Sequence, residues 1–400
     1  MSHLLADPAA ASPIRSVAEA REYVRGVCFK HGPPVRTGLE LEWLLVDPDD
    51  PRRHPELGVL LAALGSHAPR SLNPDSPAAP LPGGGLVTIE PGGQVEISSA
   101  PHRRLDALIS AMRTDEARLR QLLAPTGFVL SDRATETRRT PARVLRTPRY
   151  DAMAARFAER GPAGDLMMCA SAATQVCLDL GEREEAPLRW RAAHMLGPVL
   201  LAAFANSPGS AAASERMAAW WALDPVRTLP PLSLEIADYP QRALRTPVLA
   251  RRGGGSWLVE GEQTVASWLD TGRPLTTADL DLHLSMLFPP VRPQGYLELR
   301  YLDAQPAGQW LGPLVLLTAL FAGPLQPVVE ICLPVGARWQ PATEIGLADP
   351  QLAAAAGQLA QLVPDALDRV PLTAADRELA QQLIDARLTA QVGPALEVAP

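Results

Sequence analysis

Five glutamates of this chain, Glu40, Glu42, Glu90, Glu96 and Glu298, fall in short segments otherwise built of strand-forming residues. Strands disfavour acids, so their recurrence asks for a chemical reason. Side chains alternate along a strand with a period of two. In "GLELEWLLVD", Leu39, Leu41, Trp43 and Leu45 therefore share one face, with Glu40 and Glu42 on the other. In "GQVEISS", Val95 and Ile97 oppose Gln94, Glu96 and Ser98. In "TQVCLDL", Val176 and Leu178 oppose Gln175, Cys177 and Asp179. In "YLELRYL", Leu297 and Leu299 oppose Glu298 and Arg300. A solvated sheet face explains any one of these segments. It explains the set less well, because a solvent face mixes Lys, Thr, Arg and Glu, and here Arg300 is nearly the only cation. Clustered carboxylates repel one another and take up protons unless a cation joins them. Oxygen-only ligands select hard ions, Mg²⁺ or Mn²⁺, over Zn²⁺. Such ions bind nucleotide phosphates, and arginine neutralises a transferred phosphoryl group. The residues alone thus point to an enzyme that handles metal-held ATP.

The rest of the composition narrows the classes. Lys30 is the only lysine among 37 Lys and Arg residues, and His31 follows it. A Walker A loop needs Gly-Lys-Ser/Thr, so this is not a P-loop protein. Kinase-type and pyridoxal chemistry would have to use that one lysine. Cys28, Cys169, Cys177 and Cys332 have no C-x-x-C spacing, and no H-E-x-x-H occurs. A net charge of −7 gives no electrostatic case for nucleic acid or an anionic membrane. The start, "MSHLLADPAAASPIRS", lacks the apolar core of a secretion leader. The run "WLGPLVLLTALFAGPLQPVV" is broken by Pro313, Pro324 and Pro327 and reads as a buried helix rather than a membrane span. A cytoplasmic monomer with one domain over 1–400 is expected.

These side chains need elements to hold them. "SVAEAREYVRGVCF" has helical spacing, with Ser16 as the cap and Glu19 three residues on. "VRTGLELEWLLVD" reads as a strand and 65–85 as a long loop. Next comes "VTIEPGGQVEISSAP", two β segments about a Pro-Gly-Gly turn, then the amphipathic helix "LDALISAMRTDEARLRQLLAPTG". An arginine-rich loop spans 133–149. "ATQVCLDL" and "GYLELRYLDA" are strands, 187–222 is helical around a break at "ANSPGS", and the chain from about 310 is mostly helix. "RRGGGSW" reads as a hairpin turn. Strands and helices interleave without regular βαβ spacing, which predicts α+β.

The set "GLELE", "EPGGQVEISSAP", "MMCASAATQVCLDL", "FANSP" and "LFPPVRPQGYLELRYLDAQP" resembles the glutamate–cysteine ligases of the plant and proteobacterial type. It is most similar to the actinobacterial branch whose γ-glutamylcysteine feeds ergothioneine. The resemblance runs from about 35 to 310 and more loosely beyond. It implies a glutamine-synthetase-like fold, a curved antiparallel sheet forming an acid-lined funnel with helices outside. It also implies the reaction. ATP phosphorylates the γ-carboxylate of L-glutamate, and the amine of L-cysteine displaces phosphate. By motif position, Glu40, Glu42, Glu90, Glu96 and Glu298 are the implied metal ligands. Arg300, Arg216 and Arg227 are the implied phosphate or carboxylate contacts. Arg149, Tyr150, Gln175, Cys177 and Trp220 are the implied pocket residues. Cys177 and Arg245 stand where the family has Asn and Asp, a departure that concerns the amino-acid pocket. His283 reads as a structural histidine and Asp303 as a residue that ends a strand. A γ-glutamyl ligase for another amine and a non-catalytic binding relative are the alternatives, and a metal-dependent hydrolase fits least.

Overall fold

A computed structural model describes residues 11–389. The expectation about a leader rests largely on residues 1–10 and lies outside them. The centre is a six-stranded antiparallel sheet. Its strands are β1 (Thr37–Trp43), β2 (Leu86–Ile89), β3 (Val95–Ser98), β4 (Ala173–Leu178), β5 (Val291–Pro293) and β6 (Leu297–Asp303), in the spatial order β2-β3-β1-β4-β6-β5. Among the described residues the sheet is not closed, and its antiparallel strands mixed with helices match the α+β expectation.

The period-two reading of the strands holds in register. Glu42 lies opposite Glu96, which lies opposite Thr88. Glu40 is flanked by Ser98 and Gln175, and Glu298 by Cys177 and Arg292. Cross-strand partners point the same way, so these polar residues form one face. Leu39, Leu41, Val95, Ile97, Val176, Leu178, Leu297 and Leu299 form the other, and all are buried. Helices Leu105–Leu123, Gly197–Ala203 and Leu311–Phe321 cover that side. Burial of each such side chain contributes roughly 1.5–3 kcal/mol, which fixes the register, because a slip of one residue would turn the acids into the core.

Local signals set the element ends. Ser16 accepts from the Glu19 amide at 3.1 Å, and Glu19 accepts from the Arg15 amide at 2.7 Å, which starts the helix Val17–Cys28. "EPGGQ" closes the β2–β3 hairpin through Glu90 N–H to the Gln94 carbonyl at 2.8 Å. Gly93 has φ +84°, open to glycine at little cost. At Gly92 a Cβ would collide with the Cys169 backbone. Gln94 donates to the carbonyls of Met168 and Ser171 at 3.2 and 2.9 Å, pinning the turn to the chain before β4.

Several readings need revision. The strand from Val35 onward splits, since Leu45–Val46 leaves to pair with Val129–Leu130. The helix Leu57–Leu64 and the edge strand β5 were not expected. The apolar run is a buried helix, Leu311–Phe321, followed at a bend of 120° by a half-exposed one, and among the described residues no single helix is long and apolar enough to cross a membrane. The "RRGGGSW" turn is a hairpin, with Ala250 bridging Leu258.

Candidate active site

The acid face floors a cleft of about 420 Å³, a size that suits small-molecule ligands. Of the thirteen site residues expected from sequence, eleven line it: Glu40, Glu42, Glu90, Glu96 and Glu298 with Arg149, Tyr150, Gln175, Arg216, Trp220 and Arg300. Two do not. Arg227 is buried with its guanidinium on Asp224 at 3.0 Å and on the Met286 and Pro247 carbonyls, so it is a structural ion pair and not a phosphate contact. Cys177 lies on the acid face, opposite Glu298, but outside the cleft lining. Arg245 is exposed and also away from the cleft. The two departures from the family pattern therefore leave the cleft wall itself unaltered.

Each acid meets a different environment. Among the described residues Glu96 accepts from hydroxyls alone, Thr88 at 3.0 Å and Ser98 at 2.7 Å. Burial, then Glu40 and Glu42, push its carboxyl up to about 8. Glu42 accepts from the Ala173 amide at 2.8 Å and the Gln175 amide at 2.7 Å. Burial and then Glu90 raise it to about 7. Burial and then Glu96 raise Glu90 to about 7. Glu298 is the exception. Burial alone would raise it, but Arg292 and Arg300 outweigh burial and hold it down to about 2. Arg292 binds it with both prongs at 2.6 and 2.8 Å, and Gln294 adds a bond at 2.7 Å.

Arg300 sits at a bulge, where β6 gains one residue on β4 between Leu299 and Leu302. Bulges re-aim side chains. Here Tyr301 goes to the core against Trp339, while Arg300 enters the cleft. Its Nη1 reaches Gln175 and Glu298, each at 2.7 Å, and its guanidinium lies 5.4 Å from the Trp220 ring centre. Its Nε is buried without an acceptor, as are Arg149 Nε and Trp220 Nε1. Buried donors without acceptors are costly, and an anionic substrate would supply what they lack.

"FANSP" and "YLDA" meet at the end of β6. The Asp303 carboxylate accepts from the Asn206 amide at 2.8 Å, Ser207 at 2.7 Å and Ser214 at 3.0 Å, and pairs with Arg216 at 3.5 Å. It thus anchors the start of helix Glu215–Leu223, and Arg216 also donates to the Arg300 carbonyl at 2.8 Å. Asp303→Asn removes the paired counter-charge of a buried guanidinium, leaving it only the more distant charge of Glu42. It should cost about 3–5 kcal/mol in denaturant unfolding. A loss under about 1 kcal/mol would contradict this reading. Asp303 was taken for a simple strand end, and its role as an anchor was missed. His283 is structural as read, its Nε2 on the Ala243 carbonyl at 2.8 Å. Sequence reasoning also missed Arg292 and Gln294, and it missed Arg252 and Trp257 on the cleft wall. The one usable signal for Arg292 was "PVRP" beside a strand, since proline is tolerated at a sheet edge.

Among the described residues, no three His, Cys, Asp or Glu groups form a ready-made metal shell. A hard ion that bridges protein and phosphate needs only one or two carboxylates. The Glu42/Glu96 pair, with Glu40 and Glu90 beside it, fits such an ion, because these acids share the cleft floor and, among the described residues, Glu96 is met by hydroxyls alone.

The sequence model of "Glutamate-cysteine ligase family 2" matches residues 36–393. The glutamate–cysteine ligase EgtA of Mycobacterium tuberculosis is 37% identical over 367 residues, 86% of this chain and 82% of that protein. Its Mycolicibacterium smegmatis counterpart is 36% identical over 88% and 85%. The chloroplastic glutamate–cysteine ligase of Arabidopsis thaliana is 29% identical over 64% of this chain and 52% of its own. A glutamate–cysteine ligase of Francisella tularensis, solved in complex with AMP, superposes with a TM-score of 0.54 over 90% of this chain and 84% of that one, at 11% identity.

Proposed function

This chain belongs to glutamate–cysteine ligase family 2, and we propose that its cleft activates the γ-carboxylate of L-glutamate with ATP and joins it to the amine of L-cysteine. The observation that carries this reading is one cleft floor on which Glu42, Glu90 and Glu96, raised by burial and by one another, lie beside the Arg300 guanidinium, whose Nε lacks an acceptor. Such a face takes a cation and an anion together, which is what a metal triphosphate offers.

A carboxylate is a poor electrophile until one of its oxygens becomes a good leaving group. Transfer of the γ-phosphoryl group to glutamate provides this. The amine of cysteine then attacks the acyl carbon and phosphate departs, giving γ-glutamylcysteine, ADP and phosphate. Glu40, Glu42, Glu90 and Glu96 would hold Mg²⁺ or Mn²⁺, which neutralises charge on the phosphates. Glu298 shares the face and holds Arg292 and Arg300 in place; a part in metal binding belongs to the same proposal. Arg300 lies where the transferred phosphoryl group meets the floor, oriented by Glu298 and Gln175. Arg149 and Tyr150 on the wall, with Trp220 and Arg216, shape the place of glutamate. The same proposal makes the chain one catalytic domain and a cytoplasmic monomer whose product enters ergothioneine or another small thiol.

The test is ADP release with single omissions. We expect release only when ATP, Mg²⁺, glutamate and an amine are all present, with cysteine the best amine and γ-glutamylcysteine found by mass spectrometry. ADP release indifferent to any amine would overturn the reaction class. Better turnover with another amine would move the enzyme to a different γ-glutamyl ligase.

A further inference from the structure

We propose that Arg252, carried on the glycine-rich hairpin 249–259, binds the α-carboxylate of the acceptor amino acid and so sets the preference for cysteine over amines without a carboxylate. This rests on the ligase reading and extends it to the acceptor.

The argument matches cations to anions. Arg216 is spent on Asp303 and the Arg300 carbonyl, and Arg292 on Glu298. Three cleft guanidiniums retain unused capacity: Arg300, Arg149 and Arg252. Beyond the metal-held phosphates and the γ-carboxylate that reacts with them, the reaction brings three anionic groups: the transferred phosphoryl, the α-carboxylate of glutamate and the α-carboxylate of the acceptor. Arg300 is tied to Glu298 and, through Gln175, to Glu42, so it faces the phosphoryl group. Arg149 has a buried Nε without an acceptor and adjoins Tyr150, which reaches Glu90 at 3.5 Å. That inner place suits glutamate, which must bind before an acyl phosphate can form and be shielded from water. Arg252 is at the mouth. It is half-buried on the hairpin closed by Arg251 N–H to the Trp257 carbonyl at 2.8 Å, beside the exposed Gly253, Gly254 and Gly255. It donates to one backbone oxygen, of Ala278 at 2.6 Å, and its nearest anionic influence is Asp281, with which it forms no ion pair within 4 Å among the described residues. The Trp257 ring, 6.0 Å away, flanks its guanidinium, leaving edge N–H groups to the cleft. The acceptor arrives last and from outside, so its carboxylate meets the outermost cation.

The experiment compares L-cysteine with cysteamine, the same thiol and amine without the carboxylate, using the full chain with Mg-ATP and glutamate. We expect the wild type to favour cysteine in kcat/KM by about 10²-fold or more. Arg252→Met should reduce that preference by about 10²-fold, mainly through the KM for cysteine, with the KM for glutamate moving less than about threefold. Arg252→Lys keeps the charge but not the fork and should fall between. Equal use of both acceptors by the wild type, a parallel fall for both in Arg252→Met, or a rise in the glutamate KM instead would each overturn the assignment. Wild-type turnover of neither acceptor would overturn the ligase reading and this assignment with it.

Discussion

Glu96→Gln is expected to lower ligase turnover by about 10²–10³-fold, the size of losing one preorganised charge from a phosphoryl-transfer site, while making the metal-free protein more heat-resistant at pH 8. The two effects share a cause. Burial, with Glu40 and Glu42 behind it, raises Glu96 to about 8, and Glu42 and Glu90 each stand at about 7. A carboxyl raised in the folded state stabilises the fold fully below its unfolded value, near 4.5. That stability is lost as pH climbs through the folded value. The metal-free wild type should therefore melt at falling temperatures as pH rises above about 7; below that, the buried His194 and His283, both held down to about 4, gain stability with rising pH and oppose the carboxyls. Glu298 does not blur the window. Its carboxyl is depressed to about 2, so its contribution is complete above about pH 4.5 and constant from pH 5 to 8. Glutamine keeps the hydroxyl partners and removes one of the repelling charges, so the variant's melting should fall less steeply. Melting scans in EDTA across pH 5–8, with turnover measured in parallel, check both halves. A wild-type profile flat above about pH 7, or a variant that melts earlier at pH 8, would remove the electrostatic account of the acid face.

Arg300→Lys should cost about 10³-fold or more in kcat/KM, with kcat falling further than the KM for glutamate rises. Lysine keeps the charge, but it is a point charge without a planar fork. Arg300 uses one nitrogen on both Gln175 and Glu298 and keeps Nε free above the floor. An ammonium at the same bulge can satisfy Glu298 or reach a phosphoryl oxygen, but not both. The loss should appear in the chemical step because the interaction strengthens as negative charge gathers on the phosphoryl oxygens. Steady-state kinetics of the variant, with melting to confirm folding, give the answer. Activity within about threefold of wild type would take Arg300 out of the phosphoryl contacts.

Much of this site was legible because it depends on strand alternation, which is a local property. Apolar neighbours alone put Glu40, Glu42, Glu96 and Glu298 each on the polar side of its own strand, the family resemblance implied that these sides form one face, and pairing across β3, β1, β4 and β6 joins them there. "EPGGQ" was legible as a turn, though not the reason for its first glycine, Gly92, which is a contact with Cys169 some 80 residues away. The misplacement of Arg227 had a local warning, since Asp224 stands three residues before it and takes its charge. β5 was hidden because Pro290 and Pro293 argue against a strand, and only its place at the sheet edge accommodates them. Arg292 was lost with it. Arg252 could not be read at all, because "RRGGGSW" describes a turn and says nothing of what the turn leans over.

The most direct measurement follows an oxygen atom. Glutamate labelled with ¹⁸O in its γ-carboxylate, incubated with ATP, Mg²⁺ and cysteine, should deliver one labelled oxygen to the released phosphate for each γ-glutamylcysteine formed. Unlabelled phosphate alongside normal product would mean that glutamate is never phosphorylated, and the acid-lined cleft would need another chemistry.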